Sequence, residues 1–179
     1  MLLDPRQGVL FVVDVQARLA PAMTDPDAAI ARMGILLAAA ERMDVPIVAS
    51  EQYPQGLGHT DERLTLPPAT EVFAKTAFSA SRDHAILAHL ENLDRRQIVL
   101  CGMETHVCVL QTALDLLARG FRPAVVADAV ASRSPERKRL GLERMATAGV
   151  AVVDSEMVVF EWLGAAGTPE FRELSRLIR

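Results

Sequence analysis

Six times along this chain of 179 residues, a short apolar run gives way to a stretch with helical patterning. The runs cover 8–13, 46–50, 71–74, 97–101, 122–127 and 150–153, and several are continuous in Val, Ile, Leu and Ala. A strand that is apolar on both faces has to be covered on both faces. Strands of that kind alternating with helices require a parallel sheet between two helical layers. The expected fold is therefore α/β, a three-layer α/β/α arrangement around a six-stranded, mainly parallel sheet, with a single domain over 1–179. Asp25-Pro26 offers an N-cap and a proline at the first helical position, opening a helix to about residue 43. Further helices are expected over 83–92, 105–119 and 134–148, the second ended by Gly120 as a C′ residue. Thr168-Pro169 opens the last helix. Residues 51–70 carry Pro54, Gly56, Gly58, Pro67 and Pro68, and read as a long loop with one helical turn.

Composition narrows the function classes. Half of the residues are hydrophobic, which excludes a disordered chain. A net charge of −4 argues against an electrostatic nucleic-acid binder. No apolar run approaches the ~18–20 residues of a membrane-spanning helix. The start, Met-Leu-Leu-Asp-Pro-Arg, has no basic segment followed by a long apolar one, so no signal peptide is expected. Cys101 and Cys108 are the only cysteines and do not make a disulfide framework. A cytoplasmic protein acting on a small molecule is the expectation, with no nucleic-acid and no membrane partner. One imbalance stands out: the basic residues are 17 Arg and only two Lys, Lys75 and Lys138.

In open parallel sheets, ligands bind beyond the carboxyl ends of the strands, so the residues at those ends matter most. Asp14 follows the first strand and Lys75 the third. The fourth is followed by Gly102-Met103-Glu104-Thr105-His106-Val107-Cys108, which runs into a helix. Topology thus brings a carboxylate, an ammonium and a thiol to one edge. A helix N-terminus and a nearby cation both favour a thiolate, and a carboxylate can take the thiol proton and return it to a leaving group. Each residue also has a plainer role. Cys108 can be a small core hydrophobe, as Cys101 is expected to be. Lys75, between Ala74 and Thr76, can snorkel, although a chain that uses Arg elsewhere has chosen a compact amine here. Lys138, between two Arg, reads as solvated surface. Asp128 and Asp154 end strands five and six much as Asp14 ends strand one, and position alone does not rank the three.

Three segments in order, Val12-Val13-Asp14-Val15-Gln16, Phe73-Ala74-Lys75-Thr76-Ala77-Phe78-Ser79 and Gly102 to Val109 with Gln111-Thr112-Ala113 after it, resemble the isochorismatase-like cysteine hydrolases. The segment Glu51-Gln52-Tyr53-Pro54-Gln55-Gly56-Leu57-Gly58-His59-Thr60 is more similar to the isochorismatase-domain hydrolase branch than to the nicotinamidases. The resemblance implies a catalytic triad of Asp14, Lys75 and Cys108, which ranks the three Asp. It also implies a non-proline cis peptide between Met103 and Glu104, whose role is to aim the Glu104 N–H, with that of Cys108, at an oxyanion. The Glu104 carboxylate is then a structural hydrogen-bonder. Nicotinamidases carry an Asp-x-His pair and further His after strand two, where this chain reads Ser50-Glu51-Gln52-Tyr53 with only His59 nearby. One carboxylate and one loop His do not make a ligand set, so no metal and no other cofactor is expected.

The resulting expectation is hydrolysis of a small amide, carbamoyl or related acyl compound through a thioester on Cys108. Gln16, Tyr53, Phe78 and Met103 are the expected pocket residues. A phosphatase using an Asp after strand one needs a second acid two residues on, and position 16 is Gln. No Gly-rich loop follows strand one to hold a nucleotide. Two other readings stay open: a scaffold or interaction subunit that keeps the triad as a relic, and a redox switch between Cys101 and Cys108. The family tends to assemble, so a homo-oligomer, dimer or higher, is expected. With no second domain as a lid, the site is closed by the 51–70 loop or by a neighbouring subunit.

Overall fold

The computed structural model describes residues 1–178. Six strands form one sheet: β1 (Gly8–Val13), β2 (Ile47–Gln52), β3 (Glu71–Lys75), β4 (Gln97–Met103), β5 (Arg122–Ala131) and β6 (Ala151–Val153). Their order is β3-β2-β1-β4-β5-β6, and every neighbouring pair is parallel. The chain builds outward from β1 through β2 to β3, then returns and builds outward from β4. The switch point therefore lies between β1 and β4, where an open α/β sheet leaves its crevice.

Strand alternation divides the core. Leu10, Val12, Val99, Cys101 and Met103 pack on one face with α1 (Pro26–Arg42) and α6 (Ser155–Leu163). Val9, Phe11, Val13, Ile98 and Leu100 pack on the other with α3 (His84–Asn92) and α4 (Leu110–Ala118), and α5 (Pro135–Thr147) joins that layer through Met145. A short helix, α2 (Pro54–Leu57), is the one turn expected inside the 51–70 segment, and α7 (Pro169–Leu174) follows α6. Cys101 and Cys108 belong to clusters on opposite faces. The sheet separates them, so the redox pairing between them is not available in this fold.

Several boundaries differ from expectation for identifiable reasons. β4 runs on through Met103, and β5 re-pairs with it beyond an irregularity, so that Leu100 faces Val125 and Gly102 faces Val130. Asp128 lies inside that irregularity and does not end the strand; its carboxylate accepts from Ser155 N at 2.8 Å and Ser155 Oγ at 2.6 Å. The helix expected over 105–119 is two pieces, a wide π-helical turn over Thr105–Val109 and then α4. Asp25 makes no side-chain cap; it is left-handed at φ 51°. By contrast Asp83, Ser134 and Thr168 do cap α3, α5 and α7. Lys138 is half-buried, and burial lowers its pKa against the opposing pull of Asp128 and Asp25, which corrects the solvated reading.

Candidate active site

Asp14 leaves β1 in the left-handed region at φ 53°, which Asp tolerates better than most residues. Its side chain is fully buried at the switch point. Lys75 ends β3, two strands away. Parallel strands lie about 4.8 Å apart, so the amine crosses β2 to reach Asp14, and a long unbranched side chain is what spans that gap. Nζ lies 2.7 Å from Asp14 Oδ2. It also donates to Gln52 Oε1 at 2.6 Å and to the carbonyls of Ala77 and Phe78 at 3.2 Å. Asp14 Oδ1 accepts from Ser50 Oγ at 2.7 Å.

Ser50 and Gln52 were not among the residues expected at the site. Both are on β2, and they fill the space that Lys75 bridges. Their signal was the polar ending Ser-Glu-Gln of an apolar strand, in a chain where one of only two Lys ends the next strand. Gln52 is itself locked: its Nε2 donates to Thr76 O at 2.7 Å and its backbone N–H to Gln16 Oε1 at 2.8 Å.

Of the four expected pocket residues, two have other work. Gln16 spends its amide on backbone, giving Nε2 to Gln52 O at 3.0 Å and Gly58 O at 2.6 Å; it pins the 52–58 segment. Met103 is fully buried in the apolar cluster shared with α1. Tyr53 and Phe78 each expose 55% of their surface. Tyr53 lines a cleft of about 180 Å³ with Ala74, Lys75 and Thr76, and Phe78 supplies the carbonyl that holds Lys75. A cavity of about 370 Å³, lined by Val45, Ile47, Thr70 and His89, is built on the starts of β2 and β3, at the sheet edge away from Asp14.

Cys108 lies in the π-helical turn, 5% exposed. Two features shape that turn. The Met103–Glu104 peptide is cis, and Glu104 O accepts from both Val107 N at 3.1 Å and Val109 N at 3.2 Å. Gly102, at φ +123°, allows the end of β4 against β1: a Cβ there would lie 2.0 Å from Val13 O. The Glu104 carboxylate accepts from Arg133 Nε at 2.8 Å, and His106 Nδ1 lies 3.0 Å from Ser132 Oγ.

The electrostatics favour the protonated thiol. Burial, then the negative charge of Asp14, push the Cys108 thiol up to about 12, and Lys75 only partly opposes them. Burial also raises Asp14, against Lys75, Ser50 and Cys108 itself. Burial thus favours the neutral thiol beside the Asp14–Lys75 pair, and a carboxyl raised by burial is a stronger base than a solvated one. Near the end of β2, Glu51 has both oxygens occupied, by Thr60 N at 2.7 Å and Thr60 Oγ1 at 2.8 Å on one and by His59 Nδ1 at 2.9 Å on the other. This donor set closes a loop rather than offering free ligands to an ion.

Fold and site define a class first: a parallel α/β protein with a buried ion pair and a thiol at its switch point. Residues 8–157 match the Isochorismatase domain model. The chain is 41% identical over 177 residues to isochorismatase domain-containing protein 1 of Salmo salar, covering 99% of this chain and 62% of that one. It is 36% identical over 182 residues to the secreted isochorismatase effector Isc1 of Phytophthora sojae, covering 99% and 87%. The solved structure of MAR1 ribonuclease from Caenorhabditis elegans matches with a TM-score of 0.93 at 36% identity, covering 99% of this chain and 92% of that one. The chain belongs to the isochorismatase family. It spans less than two thirds of the length of the Salmo salar relative.

Proposed function

We propose that this chain is a cysteine hydrolase that cleaves a small amide, carbamoyl or related acyl compound with Asp14, Lys75 and Cys108. The observation that carries the reading is the Asp14–Lys75 pair, 2.7 Å apart and fully buried beside a thiol that burial and Asp14 push up to about 12. Asp14 takes the thiol proton as Sγ bonds to the substrate carbonyl carbon. The backbone N–H groups of Glu104 and Cys108 hold the oxyanion. Asp14 then protonates the departing nitrogen as the C–N bond breaks, leaving a thioester. Asp14 next takes a proton from water, whose oxygen attacks the thioester, and the proton returns to sulfur as the acid leaves. Lys75, 2.7 Å from Asp14, compensates the charge on that carboxylate. This sequence uses no metal or other cofactor, so a chelator leaves the rate unchanged.

The test is a panel of small amides and carbamoyl compounds with wild type beside Cys108→Ala. Turnover and a trapped acyl adduct on the Cys108 peptide are expected in wild type only. Turnover that survives in Cys108→Ala overturns the thiol mechanism. Absence of turnover on every compound favours the relic scaffold instead. A second reading comes from the ribonuclease name of the Caenorhabditis elegans structure. Labelled RNA is incubated with the same two proteins, and cleavage by both at equal rates assigns that activity to other residues. Exposed Tyr53, Val72 and Phe78 near Lys75 support assembly into a homo-oligomer that closes the site. Sedimentation as a monomer at micromolar concentration rejects it. No helix among the described residues is long and apolar enough to cross a membrane. A cytoplasmic location remains part of the proposal, tested by fractionating the native host.

A further inference from the structure

The cavity of about 370 Å³ at the starts of β2 and β3 has a structural origin. The first pairing between these strands joins Val48 to Glu71, so Pro46 and Ile47 come before β3 begins. The 67–70 turn, closed by Thr70 N donating to Pro67 O at 2.9 Å, borders that gap. Ala40 near the end of α1 and Leu93 after α3 supply two walls, and the buried Val45 and Ile47 add apolar surface. A volume of this size is within the range of sites that take small organic molecules. Glu71 lies four residues before Lys75, about 13 Å along the strand, so the cavity is separate from the triad. Its charge is one-sided: Glu41, Asp44 and Glu71 line it, and no Lys or Arg does. All three are exposed, and among the described residues none has a side-chain hydrogen bond or a cationic partner. Acids elsewhere on the surface, such as Asp115, Glu136 and Glu170, are each held by an Arg. The Thr70 hydroxyl, on the cavity wall, is buried without a hydrogen-bond partner, and a group of that kind calls for one. His89 also lines the cavity, with its ring packed against Phe73 at 5.3 Å between centroids.

We propose that this cavity is a second binding site, for a small organic cation: an ammonium group carried on an apolar body. The apolar body fills the space against Val45, Ile47 and Leu93, and the ammonium faces the carboxylates of Glu41, Asp44 and Glu71. The Thr70 hydroxyl, turned about its Cα–Cβ bond, accepts from the same ammonium. A bare metal ion does not suit the site. Among the described residues no three His, Cys, Asp or Glu are placed to hold one, so the negative charge is spread around a rim rather than gathered at a point. A spread field with an apolar interior suits a cation whose charge sits at one end of a larger molecule. The inference is independent of Cys108 and its chemistry.

Phenethylammonium, 2-phenylethanol and 3-phenylpropanoate provide a cationic, a neutral and an anionic probe of similar size. Each is titrated into the full chain labelled with nitrogen-15, and amide shifts are followed by NMR. Phenethylammonium is expected to shift the amides of Ile47, Thr70 and Leu93 and to bind about fivefold tighter than 2-phenylethanol at low salt. The propanoate binds weakest. Added salt narrows the difference between cation and alcohol. The combined variant Glu41→Gln, Asp44→Asn and Glu71→Gln binds the two alike. Ala69→Trp, at an exposed position on the cavity lining, weakens both by obstructing the space. Equal affinity for cation and alcohol in wild type overturns the inference, as does a preference that salt does not reduce. So do shifts centred on Asp14 and Cys108 in place of Thr70, affinities unchanged in Ala69→Trp, or no saturable shift with any of the three probes. The wild-type arms decide the matter even if a variant fails to fold. Because the readout is binding, failure of amide turnover leaves this inference standing, and failure of binding leaves the hydrolase reading standing.

Discussion

Lys75 reaches over β2 to hold Asp14 at 2.7 Å, and neither side chain exposes any surface. Two charges removed from water are tolerable only when paired and further hydrogen-bonded. Here Gln52, two carbonyls and Ser50 complete the shell. Lys75→Met leaves a buried carboxylate without its cation and is expected to cost about 3–5 kcal/mol in urea unfolding. Asp14→Asn with Lys75→Met is expected to cost less than the sum of the two single changes. An unchanged urea midpoint for Lys75→Met would show that the pair contributes nothing.

Ser50 donates to the ionised form of Asp14 and so lowers its pKa against the upward push of burial. Ser50→Ala removes that bond. The Asp14 pKa rises further, and the acid limb of the kcat/KM profile moves to higher pH. Gln52→Leu takes an acceptor from Lys75 and leaves a buried donor short, an expected loss of about 1–3 kcal/mol accompanied by a fall in kcat. A pH profile identical to wild type in Ser50→Ala removes Asp14 as the base.

Cys101 and Cys108 are both pushed up to about 12, each by burial first. Unfolded thiols ionise near pH 8.5. Between about pH 9 and 12 the unfolded chain therefore binds fewer protons than the folded one, and stability falls as pH rises. Each thiol contributes a slope of about 1.4 kcal/mol per pH unit in that window. The chain has one Tyr and two Lys, so few other groups titrate there. Cys101→Ala is expected to halve the thiol part of the slope in urea titrations from pH 9 to 11, whatever it costs at pH 7. An unaltered slope would mean that the Cys101 thiol ionises as freely in the folded chain as in the unfolded one.

Two glycines act through backbone approach. At Gly102 a Cβ would meet Val13 O at 2.0 Å, with φ at +123°, so Gly102→Ala is expected to yield no folded protein. At Gly141 on α5 a Cβ would lie 3.1 Å from His106 Cα and 3.2 Å from Thr105 O. Gly141→Ala is expected to fold, lose about 1–3 kcal/mol, and lose activity by displacing the turn that carries Cys108. Full activity with wild-type stability would show that α5 does not set the position of that turn.

The layered fold was legible because its signal is local. Six apolar runs, breakers between them, and the capping residues Asp83, Ser134 and Thr168 each depend on near neighbours in sequence. Asp25 shows the limit: Asp-Pro is a good helix start, yet the chain enters α1 from a left-handed residue with no side-chain cap. The bounds of β4 and β5 were misjudged because Gly102 and Asp128 look like strand ends by type, and only pairing across the sheet carries both strands further.

For the site, the sequence determined which residue types end which strands, and a parallel sheet puts those ends on one edge. That sufficed to gather a carboxylate, an amine and a thiol. Tertiary structure decided what they do to one another. Lys75 turned out to serve Asp14 and Gln52 and only partly opposes the upward push on the thiol, because the burial and the competing acceptors come from β2 and from the 76–78 turn, which no spacing along the chain encodes. The same holds for Gln16 and Met103, whose side chains were spent on the 52–58 segment and the core, and for Arg133, which met Glu104 only through the pairing of β4 with β5. Hydrophobic period is written residue by residue, whereas a pKa and a hydrogen-bond partner depend on distances in space.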